Sequence, residues 1–138
     1  TGRQMLASMV LGAAGVQIGS RFVASEEASS HINFKEAVIH SAEGDTMLSL
    51  KQLTPVRLMK NNFFNRVQTA EQQCASTNEL KELLGRGRAK NGMFEGNLEE
   101  GELEIGQVSA IIKSIQPAAA IVEEIWNEFE FLLKQPLK

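Results

Sequence analysis

The stretch Gly15-Val16-Gln17-Ile18-Gly19-Ser20 decides the predicted fold. Its two aliphatic residues stand between glycines, and the run is too short for a helix, which is typical of a buried parallel strand. Such a strand needs hydrogen-bonded neighbours along both edges. The rest of the chain offers one further extended segment, Thr46–Leu50, so we expect the missing strands to lie upstream in a larger α/β protein.

Five or six helices are predicted around this strand from apolar periodicity, caps and helix breakers. Ser25 precedes Glu26 and Glu27, so we expect it to cap the second helix. Ser76 and Glu79 form the S-x-x-E pattern of a capping box. The helices are expected at residues 3–13, 25–42, 56–74 with a candidate break at Asn61-Asn62, 76–85, 105–115, and 117 to near the end, with inward faces at Phe34, Ala37, Val38 and Ser41 and at Ile121, Val122, Ile125, Phe129, Leu132 and Leu133.

Composition excludes several classes of protein. The 138 residues are 43% hydrophobic and carry a net charge of −3, so neither a disordered chain nor a nucleic-acid partner is expected. The single cysteine, Cys74, cannot form an intrachain disulfide and fits a reducing, cytoplasmic compartment. No apolar run approaches the ~18 residues of a membrane span. Because the chain opens on Thr1-Gly2 and passes at once into a helical pattern, we expect it to be part of something longer.

The end of the predicted strand is a candidate ligand site, because α/β proteins bind ligands at strand ends. Gly19 lets a bound group approach the backbone, and the N–H groups of Gly19 and Ser20, with the Ser20 hydroxyl, can donate to phosphate oxygens. On local sequence alone, an ordinary strand-to-loop turn is the commoner meaning of this pattern.

The remaining candidates favour structural roles. His31 and His40 have no ligand partners at metal-binding spacing and are predicted on a helix face. Cys74 falls on an apolar stripe, which favours a packed thiol over a nucleophile. No metal site is predicted.

Two charged segments also favour structural roles. Arg86, Arg88 and Lys90 could bind an acidic carrier or a nucleotide phosphate, but a solvated turn is the commoner meaning of three charges among glycines. The acidic stretch from Glu95 to Glu104 lacks the ligand spacing of a calcium loop and is predicted to be a surface linker.

Taken together, the residues resemble the nitronate monooxygenase and enoyl-ACP reductase II family along nearly the whole chain. The stretch from Val16 to Phe22 is similar to the family's V-Q-x-G-[ST]-R-F signature. Further matches are residues 1–13, His31, Asn33, Lys35, Glu36, Asp45-Thr46, Val56-Arg57, Lys60-Asn61, Gly106-Gln107, Pro117-Ala118-Ala119 and residues 121–125.

The resemblance implies the C-terminal portion of an FMN-dependent (β/α)8 TIM barrel with a mostly helical extension. Residues 1–25 would be the last βα unit, and residues 26–138 a helical region that packs on the barrel. Gly19 and Ser20 would bind the FMN phosphate, with Gln17 near the flavin and Gln107 at the active-site edge. The family's Gly-Gly loop and catalytic histidine lie upstream, so no catalytic residue is expected in this chain.

Three functions remain open. The first is an oxidoreductase that oxidises alkyl nitronates with molecular oxygen. The second is an enoyl-ACP reductase with a nicotinamide donor, NAD(P)H, acting on an acyl thioester. The third is a non-catalytic helical interaction module. For either enzyme we expect the upstream half of the same protein as partner, with a homodimer left open and no membrane, and we expect this chain alone to be inactive.

Overall fold

The computed structural model describes residues 1–135, so the last three residues of the predicted C-terminal region, 136–138, lie outside the described residues. The described chain is rich in helices and contains a small sheet of two strands. In chain order the elements are α1 (Gly2–Val10), α2 (Ser20–Val23), α3 (Ile32–His40), β1 (Thr46–Ser49), β2 (Val56–Met59), α4 (Asn62–Gln72), α5 (Thr77–Leu84), a π-helix (Lys90–Phe94), a 3-10 helix (Gln107–Ile111) and α6 (Ala118–Leu133).

The predicted buried strand at residues 15–20 does not form within the described chain, and its pairing with upstream strands stays a prediction. Residues 15–19 have no regular secondary structure, Val16 and Gln17 are exposed, and α2 begins at Ser20. The reason is the absence of a neighbour, because β1 and β2 pair with each other and no described segment pairs with residues 15–19.

Strand β1 confirms the extended segment predicted at Thr46–Leu50, and strand β2 contradicts the helix predicted from Val56. Strands β1 and β2 are antiparallel, with a register that runs from Thr46 opposite Met59 to Ser49 opposite Val56. The helix predicted from Val56 is wrong at its start, since the Met59 amide donates to the Leu103 carbonyl at 2.9 Å and fixes β2 between two neighbours. The break at Asn61 is confirmed, because its side chain accepts from the Phe64 amide and caps α4.

Helix α3 begins later than predicted. Its cap is His31 rather than Ser25, and its first helical residue is Ile32. The Glu26 amide donates to the Gln116 carbonyl at 3.0 Å, and Ser25 forms a parallel bridge with Gln116, so residues 24–26 pair with a distant segment instead of starting a helix. The predicted inward face is present, with Phe34 and Val38 fully buried.

The capping box of α5 is confirmed in full. The Ser76 hydroxyl accepts from the Glu79 amide, and the Glu79 carboxylate accepts from the Ser76 amide at 2.7 Å. The side-chain and backbone hydrogen bonds from Ser76 lower the pKa of Glu79 below its usual value. The helix stops at Gly85, which takes a left-handed φ of 67°.

Two apolar clusters form the core. One surrounds α4 and α5, and the other lies between α3 and the segment 103–112. The buried members of the first are Leu50, Leu58, Phe63, Phe64, Val67 and Leu80; those of the second are Ala24, Phe34, Val38, Met59, Leu103, Ile105 and Ile112.

The surface linker predicted at residues 95–104 and the long helix predicted at residues 105–115 are both wrong. Glu102 and Leu103 are buried, because Gly92 of the π-helix allows the chain to pass within contact distance of the Glu102 backbone. Within residues 105–115 only the 3-10 helix forms, and it leaves Val108 and Ile111 exposed.

Helices α1 and α6 pack through a glycine. The Gly2 amide donates to the Glu128 carboxylate at 2.6 Å, and a Cβ on Gly2 would lie 2.3 Å from the Phe129 backbone nitrogen. The α6 face predicted to be buried is confirmed at Ile121, Ile125 and Phe129. Val122 and Leu133 are exposed, so the prediction is wrong for these two residues.

Among residues 1–135, every helix is too short or too polar to cross a bilayer.

Candidate functional site

A cavity of about 340 Å³ lies between α1, residues 16–21, the 3-10 helix and α6. Both polar and aliphatic residues line it. The polar lining includes Gln4, Ser8, Gln17, Gly19, Ser20, Arg21 and Glu124, and the apolar lining includes Met5, Val16, Ile18, Val108, Ile111, Ile112 and Ile125.

Gly19 and Ser20 present free backbone donors to this cavity. Gly19 caps α2, and its carbonyl accepts from the amides of Phe22 and Val23. The amides of Gly19 and Ser20 themselves have no hydrogen-bond acceptor among the described residues. A Cβ built on Gly19 meets no atom within 4 Å, so a ligand can approach this backbone closely.

The Ser20 hydroxyl joins this segment to the opposite wall. Its oxygen accepts from the Gly106 amide at 3.1 Å, which leaves the hydroxyl hydrogen free to donate. A Cβ on Gly106 would lie 2.7 Å from that oxygen, so glycine at this position permits the close approach.

Arg21 is a site residue that the sequence reasoning missed, although it belongs to the signature stretch. Arg21 lines the cavity, and its guanidinium donates to the Ser114 carbonyl at 3.2 Å and to the side-chain oxygen of Gln116. Both acceptors are neutral, and no carboxylate of the described chain lies within 4 Å of an Arg21 nitrogen. The signal available in the sequence was its place two residues after Gly19.

The predicted site residues are brought together, with one exception. Gln17, Gly19 and Ser20 all line the cavity. Gln107 is the first residue of the 3-10 helix, is exposed, and does not line the cavity, whose wall there is formed by Val108 and Ile111. The roles of these four residues toward a flavin or a substrate stay predictions.

The histidines have structural contacts. The His31 ring nitrogen Nδ1 accepts from the Asn33 amide at 3.1 Å, and His40 lies 3.7 Å from the Glu36 carboxylate on the surface of α3. No cluster of three potential metal ligands occurs within residues 1–135.

The packed thiol predicted at Cys74 is wrong. Cys74 is exposed and takes a φ of 58°. It follows the C-cap of α4, Gln73, so the chain has left the helix before the apolar stripe reaches it.

The basic turn is not simply solvated. The Arg88 guanidinium lies 4.5 Å from the centroid of the Phe63 ring and donates to the carbonyls of Leu83, Leu84 and Glu100. Lys90 pairs with Glu95 at 3.1 Å. Arg86 alone of the three cations is exposed without such a contact among the described residues, which removes the support for an anion site on this turn.

The class of protein follows from comparison with known families. The family model described as nitronate monooxygenase matches residues 1–128. The chain therefore belongs to the nitronate monooxygenase family, and the resemblance seen in the sequence is confirmed.

Individual relatives agree with this assignment. The chain is 29% identical over 126 residues to a probable nitronate monooxygenase of Staphylococcus saprophyticus, covering 90% of this chain and 35% of that protein. It superposes on the structure of FabK from Thermotoga maritima with a TM-score of 0.87 and 34% identity, over 96% of this chain and 42% of that one. A nitroalkane oxidase from Streptomyces ansochromogenes, 22% identical with a TM-score of 0.72 over 94% of this chain and 36% of that one, shares the fold. The chain thus spans roughly two-fifths of the length of these proteins or less.

Proposed function

We propose that the protein to which this chain belongs is an FMN-dependent oxidoreductase built on a (β/α)8 barrel, and that it oxidises alkyl nitronates with molecular oxygen. One observation carries the proposal: the free amides of Gly19 and Ser20 lie together on one cavity. Neighbouring backbone N–H groups on a concave surface form the kind of site that binds phosphate.

The residues present fit the phosphate end of FMN. The Ser20 hydroxyl adds a third donor, and Gly19 leaves room for a phosphate oxygen against the backbone. The cavity of about 340 Å³ lies at the lower end of the size range of ligand sites. The aliphatic wall of Val108, Ile111 and Ile112 is suited to a non-polar part of the same ligand.

When bound, FMN supplies the electron transfer, and the protein supplies binding and orientation. In this chain the amides of Gly19 and Ser20 would hold the phosphate, and the Gln17 amide can both donate to and accept from a polar edge of the ligand. His31 and His40 do not line the cavity, so they do not take the place of the family's catalytic histidine.

The second candidate is an FMN-dependent enoyl-ACP reductase II with a nicotinamide donor. It is favoured by the 34% identity and TM-score of 0.87 to FabK, since this identity exceeds the 29% to the staphylococcal relative. Both candidates use the same phosphate site and differ in the electron donor and the substrate.

One pair of assays on the protein at its natural full length separates the two functions. We expect oxygen consumption with an alkyl nitronate and no oxidation of a reduced nicotinamide by crotonyl thioester. The reverse result would assign the reductase. Full-length protein that is colourless and binds no added FMN would overturn both and favour the interaction module.

A pair of serine variants tests the site itself. Ser20→Ala should weaken FMN binding by about tenfold, because a phosphate donor is lost. Ser8→Ala is the matched control, since Ser8 lines the same cavity but its hydroxyl donates to the Gln4 carbonyl within α1. Equal loss of FMN from both variants would argue against a phosphate at Ser20.

A further inference from the structure

We propose that Arg21 is a positioning residue, which aligns the amides of Gly19 and Ser20 for a phosphate by holding α2 against residues 114–116. This inference rests on the proposed function, because it assumes a phosphate ligand at that site. It adds a residue whose contacts are with protein and whose effect on the ligand is transmitted through its neighbours.

Helix α2 cannot hold its own shape. It is a single turn of four residues, Ser20–Val23, and an isolated turn is unfavourable because nucleation fixes several residues for few hydrogen bonds. The direction of the amides of Gly19 and Ser20 therefore depends on outside anchors.

Hydrogen bonds on two sides of α2 provide these anchors. On one side the Ser20 hydroxyl accepts from the Gly106 amide. On the other, Arg21 donates to the Ser114 carbonyl and the Gln116 side chain, from 93 and 95 residues away in sequence. The Gln116 backbone then continues the contact, accepting from the Glu26 amide at 3.0 Å. Of the residues in these hydrogen bonds between α2 and residues 114–116, Arg21 is the one that lines the cavity.

Arg21 also carries a positive charge. The Ser114 and Gln116 acceptors are neutral, and Glu124, which also lines the cavity, is more than 4 Å from the Arg21 nitrogens. The positive charge of the guanidinium is therefore not paired with a carboxylate of the described chain. Lysine would keep that charge but could not reproduce the planar fork that reaches two acceptors at once.

The test separates alignment of the phosphate donors from charge and from general stability. The full-length protein is stripped of flavin, and the affinities for FMN and for riboflavin, which lacks the phosphate, are measured by fluorescence quenching. For Arg21→Lys we expect FMN affinity to fall by about tenfold or more while riboflavin affinity is unchanged.

Arg57→Lys is the matched control. Arg57 also donates to a backbone carbonyl and a hydroxyl, those of Thr46 at 3.2 and 3.3 Å, but it lies in the sheet away from the cavity. This variant should leave both affinities unchanged. Its retention of FMN would support a local effect at Arg21.

Three outcomes overturn the inference. If Arg21→Lys retains FMN while Arg21→Gln loses it, charge alone acts and alignment does not. If Arg21→Lys weakens FMN and riboflavin equally, the residue is merely structural. In both cases the proposed flavin site stands. If the unaltered protein binds neither FMN nor riboflavin, the proposed function fails as well.

Discussion

Two regions of the molecule are stabilised in different ways. The hairpin region, residues 46–84, encloses a cluster in which Phe63, Val67 and Leu80 are fully buried. The cavity region, residues 1–27 with 106–133, contains ten of the fourteen large apolar residues that are exposed in the described chain. One region has completed its core, whereas the other presents apolar side chains and free backbone donors around an open space.

The difference shows what holds a site open. In the cavity region, side chains bind distant backbone groups: Arg21 reaches the Ser114 carbonyl, Ser20 accepts from Gly106, and Glu27 accepts from the Ala118 amide. Such contacts fix backbone positions without filling the space between them. The free amides of Gly19 and Ser20 lie in this region, so this region is the place to test the proposed function.

The largest expected effect is on the hairpin region. Phe63→Ala should lower the free energy of unfolding by about 3–5 kcal/mol, because a fully buried ring is lost. Chemical denaturation measures this change. Phe94→Ala is the control, since Phe94 is 48% exposed, and it should change stability far less. Similar losses in both variants would contradict an apolar core centred on Phe63.

A glycine contact tests the cavity region. Gly2→Ala should destabilise the protein by about 1–3 kcal/mol, because the new Cβ would meet the α6 backbone at Ile125 and Phe129. Thermal unfolding of the full-length protein provides the measurement.

The matched control for Gly2 is Gly15→Ala. A Cβ there meets no atom within 4 Å, and φ is not in the left-handed region, so stability should be unchanged or raised by up to about 1 kcal/mol. Tolerance of alanine at Gly2 would mean that α1 and α6 are not in close contact.

The start of α6 gives a smaller effect. Pro117 provides no side-chain cap, and the Glu27 carboxylate accepts from the Ala118 amide at 2.8 Å instead. Glu27→Ala should therefore cost about 1 kcal/mol of stability, measured by denaturation. Glu26→Ala should be neutral, since Glu26 is exposed and uses its backbone rather than its carboxylate in the observed contacts. Unchanged stability of Glu27→Ala would mean that this hydrogen bond does not stabilise the start of α6.

How much of this could be predicted depends on whether the determining contact is local. The capping box of Ser76 and Glu79 and the break at Asn61 involve residues three apart, so they were readable in the sequence. The hydroxyl of Ser25 followed by two acids carries the same kind of signal, yet Gln116 pairs with that backbone from 91 residues away. No local pattern contains that information.

The sequence placed three candidate site residues on one surface, and their roles stay predictions. Gln17, Gly19 and Ser20 follow one another closely, so the sequence located their shared surface. The strand predicted there does not form within the described chain, because a strand depends on its neighbours as well as on its own residues. The importance of Arg21 depends on Ser114 and Gln116, which only the folded chain brings near it.

The smallest expected effect lies between the two regions, at Glu102. Burial first and the neighbouring Glu104 second raise the pKa of this carboxyl, partly offset by Arg88. Between the usual pKa of 4.5 and the raised value, the folded state holds the proton more tightly than the unfolded state. This contribution to stability is therefore present at low pH and is lost as the pH rises through that interval.

Glu102→Gln should flatten this pH dependence and raise stability at neutral pH by less than about 1 kcal/mol, because Arg88 already offsets part of the cost of burying the carboxylate. Denaturation at a series of pH values measures it, with exposed Glu99→Gln as the control. Parallel pH profiles for the unaltered protein and Glu102→Gln would contradict a raised pKa.

The contact between Gly2 and Glu128 has a consequence for the order of folding. These residues are 126 positions apart, while the two strands of the hairpin are joined by six residues. Bringing distant segments together loses more chain entropy than closing a short loop, and contacts of long sequence separation form slowly. The hairpin can therefore form early, whereas the cavity forms only after α1 and α6 have packed together.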